Sequence, residues 1–355
     1  MLRLILSSLL VLWCFQAEAA TRLLKTVCPS GCNYTSLEAC MNANEQNLVT
    51  ADQYFDVEIS GTWSSSDTTV VTIHNYTTDA TRYINIYTTG SAMHDGRASS
   101  VSGRNNYRLD FSSLSYVSGY NGVSIRENYT RIDGLEILGW DGQYTVANAV
   151  GWDYTAHYVV MKNCILHDSK STYANIGIEL SDTSFAYVYN NVIYNVYGEG
   201  IKKTFAGGNP SYIYNNTVYN FNKSNSGKVG IYVGSGQAGY AYNNLVIAGS
   251  TGGTNYSLAS MSTLTNGSSD TTGTSGLQNL TASNLFVSVA AGSEDLHLKA
   301  GATAIDVGTD LSATFTTDID GQTRTAPWDI GADEYQSTST FKPQYYPLIK
   351  GGYRP

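Results

Sequence analysis

The chain has 355 residues, of which 14% are charged, with 20 Lys and Arg against 29 Asp and Glu for a formal net charge of −9. That balance excludes the basic footprint on which nucleic-acid and anionic-membrane binding depend. The rest is rich in Tyr (28), Gly (34), Ser, Thr and Asn.

The chain opens MLRLILSSLLVLWCFQAEAA, with one Arg, an apolar run from Leu4 to Phe15 and small residues at Ala17 and Ala19. This pattern predicts a secretory signal over residues 1–19, too short to span a membrane comfortably. Export permits disulfides. Cys28 and Cys32 are close enough for a small loop, and Cys40 is an alternative partner for either. No His lies beside them, so a zinc site is not expected. The segment YTSLEACMNANEQNL reads as one short helix, with Thr35 or Ser36 as N-cap and Glu38 in its first turn. Placed before FDVEIS as the first strand, it would cap the open end of whatever follows, with residues 20–50 as the cap.

Residues 51–250 read as coils. YINIYT, YRLDFSS and NGVSIREN are strands of weak periodicity. A stanza then recurs: YVVMKNCILHDS (158–169), AYVYNNVIYNV (186–196), SYIYNNTVYNF (211–221) and GYAYNNLVIAG (239–249), after a degenerate copy at 130–138. Ile132, Met161, Val188, Ile213 and Ala241 share one column, at spacings of 29, 27, 25 and 28 residues. Leu135, Cys164, Asn191, Asn216 and Asn244 share a second, and Ile137, Leu166, Ile193, Val218 and Val246 a third. Apolar residues alternate with Tyr, Thr, Lys and Asn, which is strand period. A further strand recurs at Gly177-Ile178, Gly200-Ile201 and Gly230-Ile231. A unit this short cannot bury its own apolar face and must stack on copies of itself. The expected fold is all-β: a single-stranded right-handed parallel β-helix, coil on coil at about 4.8 Å. Asn191, Asn216 and Asn244 are expected to bond from coil to coil as a structural ladder, because a short amide at a bend can serve its neighbours' backbone.

For chemistry, the candidate catalytic set is Lys202, Glu199 and Glu179. With the isoleucines inward, Glu179, Lys202 and Tyr232 stack on the outer face, where Lys202 could act as base or carboxylate ligand and Glu199 could help place it. A plain Glu179–Lys202 cross-strand pair is the rival reading. His167, Asp168 and Asp182 are the only mid-chain hints of a hydrolase, and the His167 column (later Tyr194, Tyr219 and Ile247) suits a solvent-facing ladder. The candidate ligand-binding residues are outward tyrosines: Tyr189, Tyr214 and Tyr242 in one column, Tyr194 and Tyr219 in another, Tyr187, Tyr212 and Tyr240 in a third, and Tyr232. Stacked tyrosines offer apolar faces and hydroxyls to sugars, and they also stabilise sheets.

Residues 251–276 are nearly all Gly, Ser, Thr and Asn and read as a loose excursion; strands resume over 277–335, and 336–355 is a tail. The stretch NYTSLEAC resembles the start of exported pectate-lyase-like β-helices. NLFVSVAAGSEDLHLKAGATAIDVGTD and DIDGQTRTAPWDIGADEY (318–335) resemble the C-terminal end of secreted bacterial right-handed β-helix proteins. The resemblance implies the fold; its members include polysaccharide lyases and hydrolases alongside surface proteins. The expected protein is therefore secreted and interacts with carbohydrate or builds a surface, with polysaccharide or matrix glycans as partner. A lyase or hydrolase acting on acidic polysaccharide and a self-assembling fibre component are the alternatives. No metal and no cofactor are called for, Ca²⁺ entering only with a lyase.

Overall fold

The alternation in each stanza resolves into short strands whose side chains point by turns into and out of a solenoid. The computed structural model describes residues 19–114, 121–141, 148–152, 158–170, 175–180, 185–204, 209–225 and 227–336. They form an all-β, right-handed parallel β-helix of about seven turns with few helices. Each full coil gives one strand to each of three parallel sheets. The first sheet has nine strands, from Thr21–Val27 and Gln53–Ile59 to Ser262–Leu264. The second has seven, from Arg108–Asp110 to Gly267–Ser268, and the third has seven, from Val71–Ile73 to Thr254–Leu258.

The register is the one the repeat predicts. Ile132, Met161, Val188, Ile213 and Ala241 are aligned in the first sheet. Ile137, Leu166, Ile193, Val218 and Val246 are aligned in the second, and Ile178, Ile201 and Ile231 in the third. All are fully buried, and each large aliphatic side chain so buried contributes roughly 1.5–3 kcal/mol. The glycine before each third-sheet isoleucine has a steric cause. A Cβ on Gly200 would meet Val218 at 2.5 Å, and one on Gly230 would meet Val246 at 2.3 Å. Only glycine lets the third wall come that close to the second.

At the bend between first and second sheets, the two asparagines of each NN pair divide the work. Asn190, Asn215 and Asn243 are left-handed, with φ of 54°, 47° and 57°, a conformation Asn visits more readily than most residues bearing a β-carbon. Their neighbours point inward. Asn191 Nδ2 donates to Asn216 Oδ1, Asn216 Nδ2 to Asn244 Oδ1 and Asn244 Nδ2 to Asn266 Oδ1, each at 3.0 Å. The same amide of Asn216 also donates to the carbonyl of Val188 at 2.9 Å. Cys164, buried in this slot one coil earlier, donates its backbone N–H to Asn191 Oδ1 at 3.0 Å.

Both ends depart from expectation. The first strand is Thr21–Val27, not FDVEIS; it precedes the helix and pairs in parallel with Gln53–Ile59. The helix Leu37–Ala43 is capped by Ser36, whose Oγ accepts from Ala39 N–H at 3.3 Å, and it buries Leu37, Cys40 and Met41. Cys28 and Cys32 form the disulfide, and Cys40 is a free buried thiol. Residues 251–276 are not a loose excursion. Thr254–Leu258, Ser262–Leu264 and Gly267–Ser268 lie in register on all three sheets and add a further coil. Its interior is filled by Tyr256, whose hydroxyl lies 2.9 Å from the carbonyl oxygens of both Asn244 and Gly267.

Beyond residue 281 the chain leaves the coil path and folds back over the solenoid. A helical turn, Ala282–Leu285, leads into an antiparallel pair, Phe286–Ser288 with Asp295–Leu298, and then turns run to Tyr335. Leu285, Phe286, Leu296, Leu298, Ile319 and Ile330 pack on the outward residues Ile165, Val192, Tyr194, Leu245 and Ile247 of the second sheet. The left-handed asparagines reach this segment: Asn190 Nδ2 donates to Thr317 O (2.6 Å), Asn215 Nδ2 to Asp329 O (3.0 Å) and Asn243 Nδ2 to Thr309 O (2.8 Å). Residues 1–18 of the expected signal segment and residues 337–355 of the tail lie outside the described residues. Among the described residues, no helix is long and apolar enough to cross a membrane.

Candidate functional site

The outward face of the first sheet carries two open aromatic columns, two residues apart along each strand. In one, Tyr129, Tyr158 and Phe185 stack at centroid distances of 4.8 and 4.6 Å, with ring planes 4° and 12° apart. In the other, Tyr187, Tyr212 and Tyr240 stack at 4.4 and 5.6 Å. Tyr54 and Tyr83 extend the first column toward the N-terminus at 5.3 Å, with the Arg131 guanidinium 3.6 Å above the Tyr83 ring. Tyr158 is 43% exposed and Tyr240 41%. The column through Tyr187 was legible in the sequence. The one through Tyr158 was missed because Tyr129, Tyr158 and Phe185 each stand one place before a first-sheet strand; the signal was an aromatic at that place in three successive coils.

Near-parallel stacking decides what this surface can do. Rings inside a ladder spend their faces on each other, so solvent meets their edges and hydroxyls. Tyr240 is the last aromatic of its column, its register partner on the next coil being Ser262, and one face of its ring has no aromatic neighbour in the column. The face is thus a comb of phenol hydroxyls with one ring face at its end, suited to hydrogen bonding along an extended polyhydroxylated chain.

The other tyrosine columns are covered, which corrects the expectation of open stacking. Phe315 stacks on Tyr189 at 4.5 Å, and Phe315 and Trp328 cluster with Tyr214, which is 7% exposed, and with Tyr242. Tyr194 is 3% exposed and stacks on His167 at 5.1 Å, while Tyr219 meets Phe286 edge-on at 6.1 Å. Burial pushes the Tyr194 and Tyr214 phenols well above their ordinary value. These rings hold the C-terminal segment. Tyr232 lies apart from them on the third sheet, half-buried.

The candidate catalytic set is only partly brought together. Glu179, Lys202 and Tyr232 stand in register on successive coils, with Gly151, Ser124 and Thr72 continuing the column behind Glu179. Glu199 is buried, and its Oε1 lies 3.7 Å from Lys228 Nζ rather than serving Lys202. Lys203, next to Lys202, is fully buried and donates to Asn209 O at 2.9 Å and Ser211 Oγ at 3.1 Å, a structural role. Asp182 lies outside the described residues.

His167 is not a solvent-facing residue. Its side chain is 1% exposed, with Nδ1 2.8 Å from Asp168 Oδ2 and Nε2 3.2 Å from Glu136 Oε1. Glu136, fully buried, also accepts from Ser99 Oγ at 2.9 Å and Asn106 Nδ2 at 2.6 Å. Burial by itself would lower the His167 value, but hydrogen bonds to Asp168 and Glu136 prevail and lift it to about 9. The chain between the first and second sheets of an early coil is thereby pinned to the second sheet.

No protein-family model matches the sequence, and a search for curated relatives finds no match. Among solved structures, the crystal structure of pectate lyase Pel9A aligns with 90% of this chain and 98% of its own, at 15% identity and a TM-score of 0.37. A superposition that loose carries no argument about activity.

Proposed function

We propose that this protein is a secreted carbohydrate-binding β-helix that takes up an extended, neutral polysaccharide along the outer face of its first sheet. The observation that supports this reading is the open pair of aromatic columns, Tyr129–Tyr158–Phe185 and Tyr187–Tyr212–Tyr240. Hydroxyls repeated at the coil spacing match a ligand that itself repeats, and the free face of Tyr240 suits one sugar ring. The net charge of −9 disfavours a polyanion. Catalysis is the weaker reading because Glu199 pairs toward Lys228, leaving Lys202 with Glu179 and a tyrosine as register neighbours.

The test is to incubate the mature chain with neutral and acidic polysaccharides, measuring binding and products together. Retention on a neutral polymer without new ends supports the proposal. Tyr240→Ala, which removes the free ring face, and Tyr158→Phe, which removes one hydroxyl of the comb, should each weaken it about 3- to 10-fold. Unsaturated ends absorbing in the ultraviolet, lost with Lys202→Ala, would instead establish a lyase.

Self-association has one observation in its favour. The last first-sheet strand, Ser262–Leu264, is exposed at all three residues and closes the nine-strand sheet as an edge, which can template pairing with another chain. Sedimentation across a concentration series tests it; a monomer throughout removes this reading.

A further inference from the structure

Where the C-terminal segment crosses the loop around Gly96, three of its side chains converge. One ligand atom each from His297, Asp320 and Asp333 lies within 4.8 Å of the other two. The three residues come from separate stretches: the strand Asp295–Leu298, the DIDG turn and the closing DIGADEY. His297 Nδ1 is held by Asp295 Oδ1 at 2.5 Å, which directs Nε2 toward Asp320 Oδ2 at 3.0 Å. A carboxylate behind one ring nitrogen, with the second nitrogen aimed at a further candidate ligand, is the arrangement that orients a metal-binding imidazole. Asp333 is anchored in the same way, with Oδ2 accepting from Leu298 N–H at 2.7 Å.

Two observations point to a ligand. The Asp320 side chain is 3% exposed, yet its Oδ1 is buried with no hydrogen-bond partner. Hydrogen bonds to His297 and Gln322 account for Oδ2 alone. The second is the wall opposite. A Cβ on Gly96 would sit 2.3 Å from Asp320 Oδ1 and 2.4 Å from His297 Nε2. The two candidate ligand atoms therefore face a position where a side chain is missing, and Gly96 is left-handed at φ 75°.

We propose that His297, Asp320 and Asp333 form a structural site for a divalent transition-metal ion of the zinc type. One imidazole and two carboxylates suit Zn²⁺, whose nitrogen and oxygen ligands lie at about 2.0–2.2 Å. Ca²⁺ and Mg²⁺ prefer all-oxygen sets, and soft ions prefer the thiolates that this site lacks. The bound ion adds a common tie to three stretches already joined pairwise by the His297–Asp320 and Leu298–Asp333 hydrogen bonds, with Asp295 as the positioning residue behind His297.

The test uses the untagged full chain, stripped with chelator and titrated with Zn²⁺. One equivalent should bind and raise the thermal midpoint. Zn²⁺ should also protect His297 from diethyl pyrocarbonate, mapped by mass spectrometry, while His74 stays reactive. His297→Gln and Asp320→Asn should abolish that equivalent, and Asp295→Asn should weaken it about 10- to 100-fold. Equal modification of His297 with and without Zn²⁺ would overturn the site on the unmodified chain, whether or not the variants fold. No binding, or an equivalent that survives both ligand substitutions, would overturn it too.

Discussion

Arg324 and Asn190 stand 134 residues apart in the chain and meet through a 3.0 Å hydrogen bond in the interior, guanidinium Nη2 to amide Oδ1. The same nitrogen donates to the carbonyls of Gly331 and Ala332, and Nη1 donates to Glu334 Oε2 at 3.2 Å. The Arg324 side chain is fully buried. One cation thus joins a solenoid bend to the closing turn of the segment that covers it.

Arg324→Ala should cost about 3–5 kcal/mol, because it strands Glu334 as an uncompensated buried charge. Urea denaturation measures the loss. Limited proteolysis should show new cutting between residues 269 and 281, where the coil path ends. The double change Arg324→Met with Glu334→Gln should recover part of the stability, since it removes both charges. Unchanged stability in Arg324→Ala would show that the segment docks by apolar contact alone.

Asn216→Ala breaks the inward ladder in its middle. It removes the acceptor that serves both Asn191 N–H groups, at 3.1 and 3.0 Å, and the donor to Asn244. Each buried group left unpaired costs about 1–3 kcal/mol, so the substitution should rank among the most harmful single changes in the coils. Asn220→Ala, at a bend reached partly by solvent, should cost less. Chemical denaturation of the two variants side by side checks the order.

The His167 network should give stability an alkaline limb. Its value of about 9 lies above the ordinary 6.5, so its contribution is complete below pH 6.5 and is lost as pH rises through 9. The size is on the order of 3 kcal/mol. Glu136 and Asp168 are held below their ordinary values, chiefly by His167 working against burial. Their share is present above about pH 4.5 and lost in acid. Thermal midpoints of wild type and His167→Gln should therefore converge between pH 6.5 and 10. Parallel curves would mean that the imidazole is uncharged in the fold.

Cys40 and Cys164 are buried, and burial pushes both thiols up to about 12. Neither should react with a thiol reagent in the native protein at neutral pH, and both should react on unfolding. The Cys28–Cys32 disulfide closes a separation of only 4 residues. Replacing both by Ser should cost no more than about 2 kcal/mol, the scale of chain entropy for so small a loop.

What the sequence disclosed follows the reach of each interaction. Met161, Val188 and Ile213 announced the coils because one environment recurs at each turn. Asn191, Asn216 and Asn244 announced the ladder for the same reason. The final coil was hidden: Ser, Thr and Asn blur the alternation when Tyr256 and Asn266 fill the interior. The outward residues misled in a different way. An outward Tyr on a strand is compatible with solvent, with a ligand or with another part of the chain. Only the return of Phe286, Phe315 and Trp328 from far downstream decides that Tyr189, Tyr194, Tyr214 and Tyr219 are covered while Tyr158 and Tyr240 stay open. His167 was misread because its partner Glu136 belongs to the preceding coil, outside any local pattern.

The reach of Asn190, Asn215 and Asn243 into the covering segment makes that segment a ruler. Stacking alone sets no length, since any coil can follow any other at the same spacing. Thr317, Asp329 and Thr309 nevertheless take hydrogen bonds from three successive coils. Excising one complete repeat would leave every remaining strand paired and still move one set of graduations about 4.8 Å past its marks. The number of turns in this region is therefore fixed from outside the helix, by a stretch of chain that follows every coil it measures.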